Sequence, residues 1–227
     1  MRKTIALFGA AAVGAGALVW GSTAHAQEAN YFQQSVPAPS NALELQVGTG
    51  YTQGFGNVLP GQGISNVAGP GIGVDIGAAY RANERWSVGV QGQYQEFKNE
   101  LNAAARGVAA DVGATYHLNP TLRGDPFVRV GAGYRMLWSV NPPGAPTTMI
   151  HGFELAKATL GYDVRVSPDI ALSPQIGADL DMFVFQNANG MNRALSSPQV
   201  GTFVFAGLGG RFDIAGPQRT RASVGAR

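Results

Sequence analysis

The feature that most constrains this chain is a two-residue period that returns eight times between residues 42 and 214. The segment Gly71 to Tyr80 shows it plainly. Ile72, Val74, Ile76, Ala78 and Tyr80 take one set of alternate positions, and Gly73, Asp75, Gly77 and Ala79 take the other. Side chains of an extended strand point to opposite faces in turn, so this spacing predicts a strand. The same alternation runs through Leu43–Tyr51, Trp86–Tyr94, Val108–His117, Val128–Trp138, Ala156–Val166, Leu172–Met182 and Val204–Asp213. Glycine recurs in the segments, and β-branched and aromatic residues crowd the apolar side, which disfavours helix. Pro174 fits least well, because proline removes a ladder donor, and it is expected near a strand start or a bulge.

Eight such strands can close as a soluble barrel with an apolar interior, or as a membrane barrel with an apolar exterior. The polar face separates the two. It carries Glu44, Asp75, Asp111, Asp163, Asp179, Asp181 and Asp213 against Arg129, Arg135, Lys157, Arg165 and Arg211, with Gly, Ser, Thr and Gln between them. Charged residues are 13% of the chain, about half the share in a soluble domain. The 32 glycines are about double ordinary usage. A water-facing surface would hold more Lys and Glu and less Gly. A narrow lumen needs small residues opposite bulky ones, and charges of both signs that satisfy each other. The expected architecture is therefore an eight-stranded antiparallel up-and-down transmembrane β-barrel, its polar lumen plugged by ion pairs among these twelve residues.

Connections and aromatics agree with that reading. Arg81–Arg85, Asn119–Asp125 and Ser167–Asp169 are short and turn-like, whereas Gly56–Pro70, Asn141–His151 and Asn187–Gln199 are longer, the last with a turn signal at Asn189-Gly190. Short turns on one side and longer loops on the other are the outer-membrane layout. On the apolar face, Tyr80, Trp86, Tyr116 and Phe212 fall at short-turn ends, and Tyr51, Tyr94 and Trp138 towards loop ends. Two such bands match the aromatic girdles of a membrane barrel.

The termini read differently. Residues 1–26 open with Met1-Arg2-Lys3, continue through an apolar run to Trp20 and end Ala24-His25-Ala26, the pattern of a cleaved secretory signal. Its removal takes away Arg2 and Lys3 and lowers the formal charge from +2 to 0, so no nucleic-acid partner is expected. Residues 27–41 read as a mobile lead-in, 42–214 as the barrel, and 215–227 as a disordered basic tail with Arg219, Arg221 and Arg227. The chain has no Cys, which excludes a disulfide scaffold and Cys-ligated metal sites.

The search for chemistry finds no site. His25 leaves with the signal, His117 is expected as a hydrogen-bonded lumen residue, and His151 falls in a Pro-rich loop. No G-x-S-x-G is present, and the Gly71-x-Gly73 and Gly207-x-Gly209 glycines lie inside strands, where they cannot cradle a phosphate. Asp179 and Asp181 share the lumen face, and pairing with lumen Arg or Lys outweighs acid–base catalysis or a cation site. No catalytic residue, cofactor or metal is assigned, and the chain is not expected to be an enzyme.

PFVRVGAGYR at Pro126–Arg135 and the last strand FVFAGLGGRF at Phe203–Phe212 resemble the small eight-stranded outer-membrane proteins of the OmpA-type transmembrane domain. The resemblance spans about Ala42 to Ile214. It implies insertion into outer-membrane lipid as a monomer, with the terminal aromatic Phe212 read by the barrel-assembly machinery. Asp213 to Arg227 follow that aromatic, which departs from the family's pattern. The expected role is structural, in envelope integrity or surface interaction through loops that meet an extracellular ligand. The alternative is a narrow channel for ions or small solutes. A soluble lipocalin-like binder is the reading that fractionation would separate.

Overall fold

The computed structural model describes residues 31–98, 104–140, 148–188 and 190–214. The chain divides into two compact units, residues 1–34 and 35–227. Of the first, residues 31–34 are described, with the rings of Tyr31 and Phe32 edge to face at 5.5 Å. The expected signal peptide and basic tail lie outside the described residues.

The second unit is built from eight long strands: β1 (Ala42–Leu59), β2 (Pro70–Arg81), β3 (Trp86–Lys98), β4 (Ala104–His117), β5 (Gly124–Ser139), β6 (Thr148–Ser167), β7 (Ile170–Ala188) and β8 (Met191–Ile214). Each pairs antiparallel with its sequence neighbour, and β8 pairs back onto β1, so the sheet closes into a ring. A two-residue strand, Gln62–Gly63, folds back on the end of β1.

The register sets the barrel's dimensions. Following partners around the ring from Glu44 leads through Ala79, Gly89, Gly113, Gly131, Lys157, Asp179 and Phe203, and returns to β1 at Gly54. That is a stagger of ten residues. With a rise of about 3.3 Å and a strand spacing of about 4.8 Å, it gives a tilt of about 41° and a backbone radius of about 8 Å. So narrow a cylinder has room only for side chains, and the glycines show how they fit. A Cβ on Gly161 would lie 2.2 Å from the ring of Phe127, and one on Gly177 would lie 2.4 Å from the ring of Phe205. Each aromatic is the cross-strand partner of the glycine it covers.

The alternation resolves as an inside-out molecule. Ile72 and Ile76 are 69% and 67% exposed, and Val74, Val88, Val90, Val112, Val130, Leu160, Ile176 and Leu208 are exposed with them. Arg135, Arg165, Lys157, Glu44, Asp163, Asp179 and Asp181 are buried inside. An apolar exterior of this extent is solvated by acyl chains, and closure leaves no unpaired sheet edge facing them.

Several local expectations change. Pro174 lies within β7, opposite Leu208 of β8. The cost falls on its other side, where the ladder to β6 skips from Gly161–Gln175 to Val164–Leu172. His151 is not in a loop but on β6, which begins at Thr148. The Asn187–Gln199 connection is a strand hairpin rather than a long loop, turning at Gly190 with φ +78°, a conformation glycine adopts freely. Asn189 lies outside the described residues. Part of the lead-in is tied down, since Val36 and Ala38 donate backbone hydrogen bonds to Thr121 and Pro120 in the β4–β5 turn at 3.1 and 2.8 Å.

Candidate functional site in the barrel lumen

The lumen is layered from the short-turn end to the loop end. In the lowest layer, β2 ends on Arg81, which tertiary closure places beside Glu44 of β1. Its Nη2 donates to Glu44 Oε2 at 2.8 Å, and its Nε stands 3.9 Å from Asp213. Arg211 bridges Glu44 at 3.3 Å and Asp163 at 3.4 Å. Arg165 pairs with Asp213 at 3.0 Å and donates to the Pro168 carbonyl at 3.1 Å. Ser173 donates to Asp163 at 2.5 Å.

His117 sits at the hub of this layer, fully buried. Its Nε2 faces Nη2 of Arg81 at 3.1 Å and Nη1 of Arg211 at 2.9 Å. Guanidinium groups only donate, so Nε2 is the acceptor and the proton sits on Nδ1. Nδ1 then donates to Asp125 Oδ2 at 2.8 Å, while Asp125 Oδ1 accepts the backbone N–H of Asn119 at 2.8 Å. His117, Asp125 and Asp163 also have the spacing of a three-ligand metal cluster. In this arrangement both imidazole nitrogens are already committed, and two guanidinium groups adjoin the ring. The hydrogen-bond logic therefore favours an ion-pair hub over a cation site.

The second layer is centred on Arg135 of β5. It pairs with Asp179, with Asp181 at 3.0 Å and with Glu154 at 3.5 Å. Its Nη1 donates to Gln95 Oε1 at 2.6 Å, and Gln95 donates in turn to Thr52 at 3.3 Å. Asp111 takes Arg129 on one oxygen and Lys157 on the other, the latter at 3.2 Å. Lys157 also stands 4.0 Å from Asp179. In each layer the named groups are four carboxylates against three permanent cations. Two gaps of about 10 Å³ each border Asp75, each about one water in size.

The third layer is apolar. Phe97, Leu137, Ile150, Phe183 and Phe203 point inward from five strands and pack with Val58, Ile64 and Ala68. Ile64 comes from a 3₁₀ turn, Ile64–Asn66, in the β1–β2 connection. A Cβ on Gly54 would meet Ile64 at 2.2 Å, and one on Gly201 would meet it at 2.1 Å. Ile64 therefore occupies a notch that exists because neighbouring strands both carry glycine there. Arg135 joins the layers, its guanidinium carbon 4.3 Å from the ring centre of Phe203.

All twelve charged residues expected inside lie on inward strand positions, and all except Asp75 have an ion-pair partner in these networks. Asp75 accepts a hydrogen bond from Gln91 at 3.2 Å. Four groups of the lumen networks were not anticipated as ion-pair members: Arg81, Asp125, Glu154 and His117, the last expected only as hydrogen-bonded. Arg81 and Asp125 stood in segments read as turns, although continuing the alternation one step past Tyr80 points Arg81 inward. Glu154 is hidden by a bulge between Glu154 and Ala156, which leaves Leu155 and Ala156 both outward and reverses the phase. On the outer wall, the rings of Trp86 and Tyr116 stand 4.9 Å apart. The hydroxyls of Tyr80, Tyr51 and Tyr94 donate to Asn41, Gln53 and Glu96 at 3.1, 2.6 and 2.9 Å. Trp138 and Phe212 lie on outward positions of β5 and β8.

No protein-family model matches the chain, and no curated protein matches it in sequence. Solved structures do match its fold. Neisserial surface protein A superposes with a TM-score of 0.55 at 12% identity, over 75% of this chain and 96% of that one. The chain has the fold of the small eight-stranded outer-membrane β-barrels. The outer-membrane protein OprG from Pseudomonas aeruginosa gives a TM-score of 0.50 at 11% identity, over 80% of this chain and all of that one. At such identities the likeness carries architecture alone, and the role of this barrel rests on its own residues.

Proposed function

We propose that this chain is a monomeric, non-conducting outer-membrane barrel with a structural role in the envelope or in surface contact, and that it is not an enzyme. The single observation carrying this reading is the layered interior: two ion-pair networks beneath an apolar cap seated by Ile64. Such a stack supports the barrel from within and leaves no wide aqueous path. The lipid partner follows from the apolar exterior, with Tyr80, Trp86, Tyr116 and Phe212 forming one girdle and Tyr51, Tyr94 and Trp138 the other. Phe212, on the closing strand, is the aromatic for the assembly machinery to read. The signal at 1–26 supplies export.

A surface role has its own support. Strands β6, β7 and β8 have 20, 19 and 24 residues, against 12 and 13 for β2 and β3. A bilayer takes about 9–11 tilted residues, so this side of the wall rises beyond the lipid. Near its upper end the ring of His151 stacks on that of Phe185 at 5.3 Å.

Planar-bilayer recording of the mature chain tests the plug. The expected trace is flat. Stable unitary conductance overturns the plug and selects the narrow-channel alternative, which the gaps beside Asp75 would then serve.

A further inference from the structure

At the short-turn end, the residues before β1 pair with a turn on the far side of the ring. Ser35 bridges antiparallel to Leu122, and Val36 and Ala38 donate to the carbonyls of Thr121 and Pro120 at 3.1 and 2.8 Å. Pro37 and Pro39 alternate with these donors. Successive N–H groups of an extended chain point to opposite sides, so proline falls where a donor would face away from the turn. Its fixed φ also keeps the segment extended at little entropic cost. Four residues after Ala38 the chain has already reached Ala42, the first residue of β1. The corner is made at Asn41, whose φ is 52°, a conformation asparagine tolerates. Its side chain accepts the Tyr80 hydroxyl at 3.1 Å.

Distance decides the route. The β4–β5 turn lies three and a half strands from β1 in the ring of eight. At a tilt of about 41° each strand takes about 6.4 Å of the rim, so the way round is about 22 Å and the way across about 16 Å. Four residues reach at most about 14 Å, and the hydrogen-bonded step from Ala38 to Pro120 adds about 5 Å. That suffices to cross the mouth and falls short of following its edge. Burial agrees, because Ala38 and Ala42 are fully buried and Pro120 is buried with them. The turn held in this way joins His117, the last residue of β4, to Asp125 at the start of β5. We propose that Ser35–Asn41 is a strap that closes the short-turn mouth in cis and bars water at that end from the His117 hub. While it is docked, the carboxylates and guanidinium groups of the hub meet only one another. The strap stands apart from the lumen plug, so its failure would leave the flat bilayer trace expected above unchanged.

The chain has no Cys, so one introduced thiol reports alone. Ser87 lies in the hub layer, paired across with Arg81 and 1% exposed, whereas Thr52, at 2%, lies beside Gln95 towards the loop end. Ser87→Cys and Thr52→Cys are made separately in the mature chain and in a Val36→Pro, Ala38→Pro version, which loses both strap donors. Each is folded in detergent micelles, where both ends of the barrel meet the reagent, and checked by its unboiled mobility. A charged, water-soluble methanethiosulfonate is then added. The prolines should speed labelling of Ser87→Cys by about 25-fold, a factor of about five for each lost hydrogen bond, and leave Thr52→Cys protected. Equal labelling of Ser87→Cys with and without the prolines overturns the strap as a seal. Equal acceleration at Thr52→Cys means a barrel loosened throughout, and overturns it as well. Docking is tested on the native strap sequence. Ser35→Cys with Leu122→Cys should close to a disulfide under mild oxidation of the folded barrel, and Ser35→Cys with Asp169→Cys, on another turn, should stay open. Closure of both pairs at one rate, or of neither, overturns the crossing.

Discussion

Replacing Arg135 with Met keeps much of the side-chain volume and removes the charge around which the second lumen layer is built. Arg135 is fully buried and holds Asp179, Asp181 and Glu154. Removing one partner of a buried ion pair costs about 3–5 kcal/mol, because the remaining charge has neither water nor counter-ion. Here three carboxylates lose their shared cation, which argues for the upper part of that range. Against this, Lys157 stands 4.0 Å from Asp179 and can close part of the gap, although Asp111 already holds it at 3.2 Å. The expected loss is about 4 kcal/mol. With a urea dependence of about 2 kcal/mol/M, the unfolding midpoint should fall by about 2 M. The assay is urea unfolding in lipid vesicles, followed by fluorescence of Trp86 and Trp138 and by the mobility difference between boiled and unboiled protein. Arg106→Met is the control, since its exposed pair with Glu96 is worth about 0–1 kcal/mol. Adding Asp179→Asn and Asp181→Asn to Arg135→Met should restore much of the stability, because two of the three stranded charges are then gone and Glu154 alone remains. Equal midpoints for Arg135→Met and Arg106→Met, or no recovery in the triple variant, would refute the electrostatic account of the plug.

Two further outcomes follow from the same geometry. Val74 faces outward in the middle of β2 at 55% exposure, so Val74→Arg should destabilise the bilayer-inserted barrel by about 2–4 kcal/mol. A loss below 0.5 kcal/mol in the vesicle unfolding assay would mean this face does not meet hydrocarbon. Gly201→Leu puts a side chain where Ile64 now sits, a Cβ alone lying 2.1 Å from it. Bilayer recordings of that variant should show brief openings selective for cations, given four carboxylates to three cations in each network, and a silent trace would show that the ion-pair networks close the lumen without Ile64.

How far the site could be read from sequence depends on the range of the interaction. Alternation is a property of adjacent residues, so Asp111, Arg129, Lys157 and Asp179 could be assigned to the inner face before any partner was known. The assignment fails where periodicity is broken. The bulge beside Glu154 reverses the phase, and no local residue pattern announces it. Ile64 lies in a connection with no period at all, and its burial depends on glycines at positions 54 and 201.

The sequence by itself determined which side chains face lipid and which face the lumen, because a two-residue period admits only two faces and charge tells them apart. Tertiary structure decided who meets whom. Glu44 and Arg81 are 37 residues apart, and His117 and Arg211 are 94 apart. They touch because a ring of eight strands closes with a ten-residue stagger. Closure and stagger belong to the whole sheet, so the partners of His117, and the apolar cap above Arg135, follow from geometry that no single segment encodes.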